Sequence, residues 1–187
     1  MRGFSRRGPL IRVRLTEYEA ALLESLIDDF AGLLGSDEPR AVMPTDPFAR
    51  WQAELTASTT LDTDDPVIAR LFPDAYKGDA EASQEFRRFT QARQRDDRLE
   101  QAELALSALR DTDGGRRPLQ VRVIELDQWL KVLTGLRLSL AVRLGIERAA
   151  DADALDALPD DDPRSFPYRL YEWLAYLSEG LLAQAGG

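Results

Sequence analysis

The stretch Leu119–Ile146, LQVRVIELDQWLKVLTGLRLSLAVRLGI, decides the fold. Its first residues, QVRVI (120–124), alternate apolar and polar side chains, which predicts a short half-buried strand. The remainder reads as a strongly apolar helix. Between Asp127 and Glu147 the only charged side chains are Lys131, Arg137 and Arg143. Apolar residues fall on every side rather than on one stripe, the pattern of a helix buried over most of its surface. The expected fold is therefore mainly α, a helical bundle built around this segment.

The rest of the chain supplies the helices to pack on it. IRVRL (11–15) has the same alternation as QVRVI, and each lone strand needs a partner. A two-stranded β-ribbon, about 11–15 with 120–124, is predicted, with Arg12, Arg14 and Arg122 toward solvent. Thr16 with Glu19 three residues on forms a capping box, opening a helix over about 17–34 that Gly35 ends. Asp46-Pro47 and Asp65-Pro66 repeat a cap-then-proline start, predicting short helices near 47–57 and 66–72. Residues 79–110 contain neither Pro nor Gly and predict one long helix, after which Asp113-Gly114-Gly115 turns the chain. Arg87, Arg88, Arg93, Arg95 and Arg98 on it are interleaved with acids and expected to form surface pairs along the helix. The last helix, about 166–184, is expected to place Phe166, Leu170, Trp173 (with Leu174), Leu177 and Leu181 on one face. The predicted organisation is a basic flexible segment 1–10, a single helical domain 11–184 with an acidic loop at 151–165, and a frayed end at 185–187.

At 187 residues the chain can bury a substantial core. Its net charge of −9 argues against broad or sequence-specific DNA binding, which uses a basic face. All basic residues except Lys77 and Lys131 are arginine. There is no Cys, which removes disulfides, thiolate catalysis, thiol sensing and cysteine-bound zinc. There is no His, which removes the commonest general base and metal ligand. No phosphate-binding, dinucleotide-binding or nucleophile-elbow motif is present. The expectation is a protein that is not an enzyme, with no catalytic residue, metal or cofactor. The N-terminus lacks the apolar run of a secretory signal, and the apolar helix is interrupted by charges. A cytoplasmic protein without a membrane span is expected.

The candidate sites are of the binding kind. Arg137 and Arg143, in an otherwise apolar helix, are expected either to form structural ion pairs or to hook a partner protein. Tyr168, Tyr171 and Tyr176 lie off the main stripe of the last helix and are candidate interface aromatics, or pack on the acidic loop. Arg2, Arg6, Arg7, Arg12 and Arg14 form an acid-free cluster, a weak candidate for nucleic acid or an acidic protein surface. Gly135 permits a close helix crossing. The loop DADALDALPDDD has Asp151, Asp153 and Asp162 at calcium-loop positions, but Leu155, Asp156 and Pro159 break the pattern, leaving a solvated acidic linker. A homodimer would bury apolar residues exposed on the last helix.

Three stretches carry a family resemblance: IRVRLTEYEAALLESLIDDFAGLL (11–34), DPVIARLFPDAYKGDAEASQEFRRFT (65–90), and QWLKVLTGLRLSLAVRLGI (128–146) with YEWLAYLSEGL (171–181). Together they resemble the actinobacterial domain-of-unknown-function family that includes the oxidative-stress regulator AosR and is commonly encoded beside the ClpS adaptor. The most specific part is Trp129-Leu130, Leu133, Leu136-Arg137-Leu138, Leu140 and Arg143-Leu144-Gly145. Thr134-Gly135 stands where the family pattern has Asn-Asp, and Ala141-Val142 where it has Gly-Thr. The resemblance implies a cytoplasmic, non-enzymatic protein in transcription control that binds a protein partner, an alternative sigma factor or RNA polymerase. The family's gene neighbour implies a second reading, an adaptor or structural module linked to proteolysis. The regulator's cysteine-pair mechanism does not carry over to a chain without Cys.

Overall fold

The computed structural model describes residues 3–35, 65–73 and 80–185, the side chains of 80–89 excepted. The strand-like alternations pair as expected and then recruit a third strand. β1 (Phe4–Arg7), β2 (Leu10–Val13) and β3 (Leu119–Arg122) form an antiparallel sheet in the order β1-β2-β3. Ile11 faces Val121 and Arg6; Val13 faces Leu119 and Phe4. The apolar alternate residues Ile11, Val13, Leu119 and Val121 are all buried, so this face lies on the core.

β1 corrects the expectation of a loose segment 1–10 and of a two-stranded ribbon. Gly8, at φ +60, turns the chain tightly enough for Phe4–Arg7 to fold back on β2. The tertiary reason is side-chain docking. Phe4 packs its ring directly on Gly180, where a side chain would leave no room for it, with its ring centre 5.8 Å from that of Tyr176.

The described residues also form six helices: α1 (Glu17–Leu33), α2 (Pro66–Leu71), α3 (Ala80–Arg110), α4 (Leu126–Leu144), α5 (Ala149–Asp156) and α6 (Ser165–Ala185). α1 starts with the capping box: Thr16 Oγ1 accepts from the Glu19 N–H, and Glu19 accepts from the Thr16 N–H at 2.8 Å. Asp65 caps α2 by accepting from the Val67 N–H at 2.7 Å, with Pro66 in the first turn. α3 is the single long helix, and α4 ends at Gly145, whose left-handed φ of 71 lets the Ile146 N–H reach the Ala141 carbonyl. The helix expected at 47–57, the side chains of Phe86, Phe89, Arg87 and Arg88, and the frayed Gly186-Gly187 lie outside the described residues. Residues 151–165 are not one acidic loop. α5 occupies 149–156 because Asp151, in its first turn, accepts N–H bonds from Glu147 and Arg148 at 3.0 and 2.9 Å.

α4 is the hub. It touches α1, α2 and α3 and packs most extensively on α6. Gly135 allows the closest approach: its Cβ would meet the Phe30 ring of α1 at 2.7 Å. Arginines close the helix ends. Arg6 donates to the Gln184 and Ala185 carbonyls at the end of α6, each at 3.0 Å. Arg95 donates to Leu34 and Gly35 after α1, and Arg98 to Leu71 at the end of α2 with its guanidinium 5.3 Å above the Phe72 ring. Arg95 and Arg98 therefore act across the fold, satisfying orphan helix carbonyls, rather than in the pairs along α3 expected from their spacing. A planar fork with several donors suits this task better than an ammonium. Among the described residues no helix is long and apolar enough to cross a membrane.

Candidate functional site

Two surfaces stand out, and the first is the far half of α4. Its near half is core: Leu126, Trp129, Val132, Leu133 and Leu136 are all buried. From Arg137 onward the composition stays apolar but no residue is fully buried. Leu138, Leu140 and Val142 pack on the core with one side only. The expectation of a helix buried along most of its length thus fails for this tail.

The two arginines of the tail take different places. The Arg137 guanidinium lies 4.4 Å above the Tyr171 ring, and Tyr171 stacks on Tyr168 at 6.2 Å. Two separate sequence candidates, the arginine and the tyrosines, are thus brought together between α4 and α6. Arg137 Nε is buried and has no hydrogen-bond partner among the described residues. Arg143 is exposed, at the rim of a groove between α1 and α4 formed by Leu26, Phe30, Leu33 and Leu140, with Asp29 also at its edge. Neither arginine makes the ion pair expected of it among the described residues. The groove, at about 60 Å³, is well below the roughly 300 Å³ at which small-molecule pockets begin.

The tyrosines divide. Tyr176 is 52 % exposed, Tyr171 half-buried, and Tyr168 only 8 % exposed, so Tyr168 supports Tyr171 instead of offering itself to a partner. Burial first, then the carboxylates of Glu172, Asp156 and Asp153, hold the Tyr168 hydroxyl above its ordinary pKa.

The second surface is the outer face of the sheet. Alternation places Arg7, Leu10 and Arg122 in one row, Ser5, Arg12 and Gln120 in the next, and Arg14 beyond them. Arg122 is taken by Glu125, whose carboxyl it holds below the usual range. Arg14 opens onto a cleft of about 330 Å³ with Thr16, Gly115, Arg116 and Arg117. Of the expected N-terminal cluster, Arg7, Arg12 and Arg14 meet here, Arg6 is spent on α6, and Arg2 lies outside the described residues. Arg116 and Arg117 were not legible as members; only the fold of the Gly114-Gly115 turn onto α1 brings them in, the Gly115 Cβ position being 2.9 Å from the Thr16 carbonyl. Among the described residues no three Asp or Glu side chains converge as a metal site would require.

These features define a class: a predominantly α-helical protein with a small antiparallel sheet, whose distinctive chemistry lies on surfaces. The chain belongs to the family described as Domain of unknown function (DUF2017), whose model matches residues 1–185. It is similar to the Oxidative stress regulator AosR of Mycobacterium tuberculosis (strain ATCC 25618 / H37Rv) and to that of Mycobacterium bovis. Each is 28% identical over 193 residues, covering 95% of this chain and 83% of the relative. The likeness points to a regulatory role. No solved structure matches this chain.

Proposed function

We propose that this protein is a non-enzymatic regulator that binds a protein of the transcription machinery, RNA polymerase or an alternative sigma factor, through the tail of α4. One observation carries the reading: a helix apolar all round whose last two turns are incompletely covered. Partly exposed apolar surface beside a guanidinium already seated on an aromatic ring is the composition of an interface hot spot. The names of the relatives support regulation. With no Cys in the chain, any response to oxidants comes through the partner or through protein level rather than through a thiol here.

The test is affinity purification from the native host under ordinary and oxidising growth, with mass spectrometry of the bound proteins. Recovery of polymerase or a sigma factor is the expected result. Recovery of protease or chaperone subunits instead would replace this reading with the adaptor, and recovery of only the chain itself would replace it with a self-associating module.

A further inference from the structure

The outer sheet face is a second surface, independent of the α4 tail. In a chain where 33 carboxylates outnumber 24 basic residues, Arg7, Arg12, Arg14 and Arg117 have no carboxylate partner among the described residues. Arginines on an edge strand can be explained as protection against strand pairing, which accounts for Arg7 on β1. It does not account for Arg12 and Arg14 along the central strand and its exit. Arg12 is half-buried, and its Nε is buried with no hydrogen-bond partner among the described residues, a cost that a bound acceptor would remove. At the opposite end of the face from the Arg14–Arg117 cleft, Ile124 is 85 % exposed. The adjacent Val123 N–H is tied to the Pro9 carbonyl at 2.8 Å, which fixes that end against the β1–β2 turn.

We propose that this face binds an extended acidic segment of a partner protein, with carboxylates on Arg12, Arg14 and Arg117 and an apolar side chain against Leu10 and Ile124. Side chains two residues apart on a strand repeat at roughly 7 Å. Arg12 on β2 and Arg14 just beyond it stand two residues apart, as do alternate carboxylates along an extended peptide. Each guanidinium offers a fork that matches a carboxylate. The face has an apolar end, and among the described strand residues the side chains between its arginines are Ser5, Leu10 and Gln120, none of them aromatic. Single-stranded nucleic acid would use aromatic stacking, and a long polyanion would meet the net charge of −9. A short acidic peptide needs no stacking platform and sets only a few negative charges against that net charge.

Fluorescence anisotropy tests this with the full chain and a fluorescein-labelled peptide of alternating Glu and Ser carrying one Leu. The peptide is expected to bind, more weakly as salt rises, and the version with Gln for Glu is not. Arg14→Gln with Arg117→Gln, both at exposed positions, should weaken binding about tenfold or more with an unchanged melting curve. Ile124→Ser, equally exposed, is expected to weaken it by a smaller factor, and Leu140→Ser on α4 to leave it unchanged. Binding that survives the double arginine substitution, or no binding at low salt, would overturn the proposal. Tighter binding of a labelled single-stranded oligonucleotide would overturn it in favour of nucleic acid.

Discussion

The two halves of α4 have nearly the same composition and opposite surroundings. Leu126–Leu136 carries Trp129, Val132 and Leu133 at 1 % exposure each, wedged among α1, α2, α3 and α6. Arg137–Leu144 carries Leu138, Leu140, Val142 and Leu144, all half-buried. Apolarity on all sides predicts that a helix gains from burial; it does not say that its own chain supplies the cover. In the first half the cover is intramolecular. In the second it is incomplete, and the proposed function rests on that difference.

The largest expected effect tests the first half. Trp129→Ala should cost about 3–5 kcal/mol in urea unfolding, whereas Leu140→Ala, at a position that is only partly buried, should cost less, about 1–2 kcal/mol. Equal losses would erase the distinction. Gly135→Ala comes next. Its Cβ would press on the buried Phe30 ring at 2.7 Å, an overpacking cost of about 1–3 kcal/mol, partly offset by roughly 1 kcal/mol of helix propensity. Phe30→Leu in the Gly135→Ala background should recover part of the loss, measured as the denaturation midpoint of the double variant.

Smaller effects probe the periphery. Arg6→Ala should cost about 0.5–1 kcal/mol by uncapping α6, with faster amide exchange confined to β1 and the last turn of α6. The smallest is at Asp162. The Arg164 side chain first, and its backbone N–H second, hold the Asp162 carboxyl down from 3.8 to about 2. A depressed carboxylate stabilises the folded chain above its unfolded pKa, and this contribution disappears as pH falls from about 4 to about 2. Asp162→Asn should flatten that part of the acid limb by lowering stability slightly above about pH 4, and leave stability below about pH 2 unchanged. The Arg164–Asp162 pair lies at the surface, where solvent screens it, so the change is small.

Much of the fold was legible because local chemistry agreed with it. The Thr16–Glu19 box, the Asp65-Pro66 start, the unbroken run to Arg110 and the Asp113-Gly114-Gly115 turn all sit where their spacing put them. β1 was not legible, since FSRR has no apolar alternation and is held by Phe4 on Gly180 and Arg6 on the end of α6, contacts almost the whole chain apart. α5 was hidden by its acidity, which at a helix N-terminus is favourable. At the sites, periodicity marked Arg137 and the tyrosines as unusual but could not bring them together. Likewise Arg12, Arg14 and Arg122 read as solvent-facing, while Arg117 joined them only through the turn.

The most direct test of the α4 tail as a recognition surface is paired affinity capture from the native host with wild-type chain and Leu140→Ser, alongside their melting curves. The recognition reading predicts that the variant melts within a few degrees of wild type and loses the polymerase or sigma factor that wild type recovers. Equal recovery by both chains would contradict it.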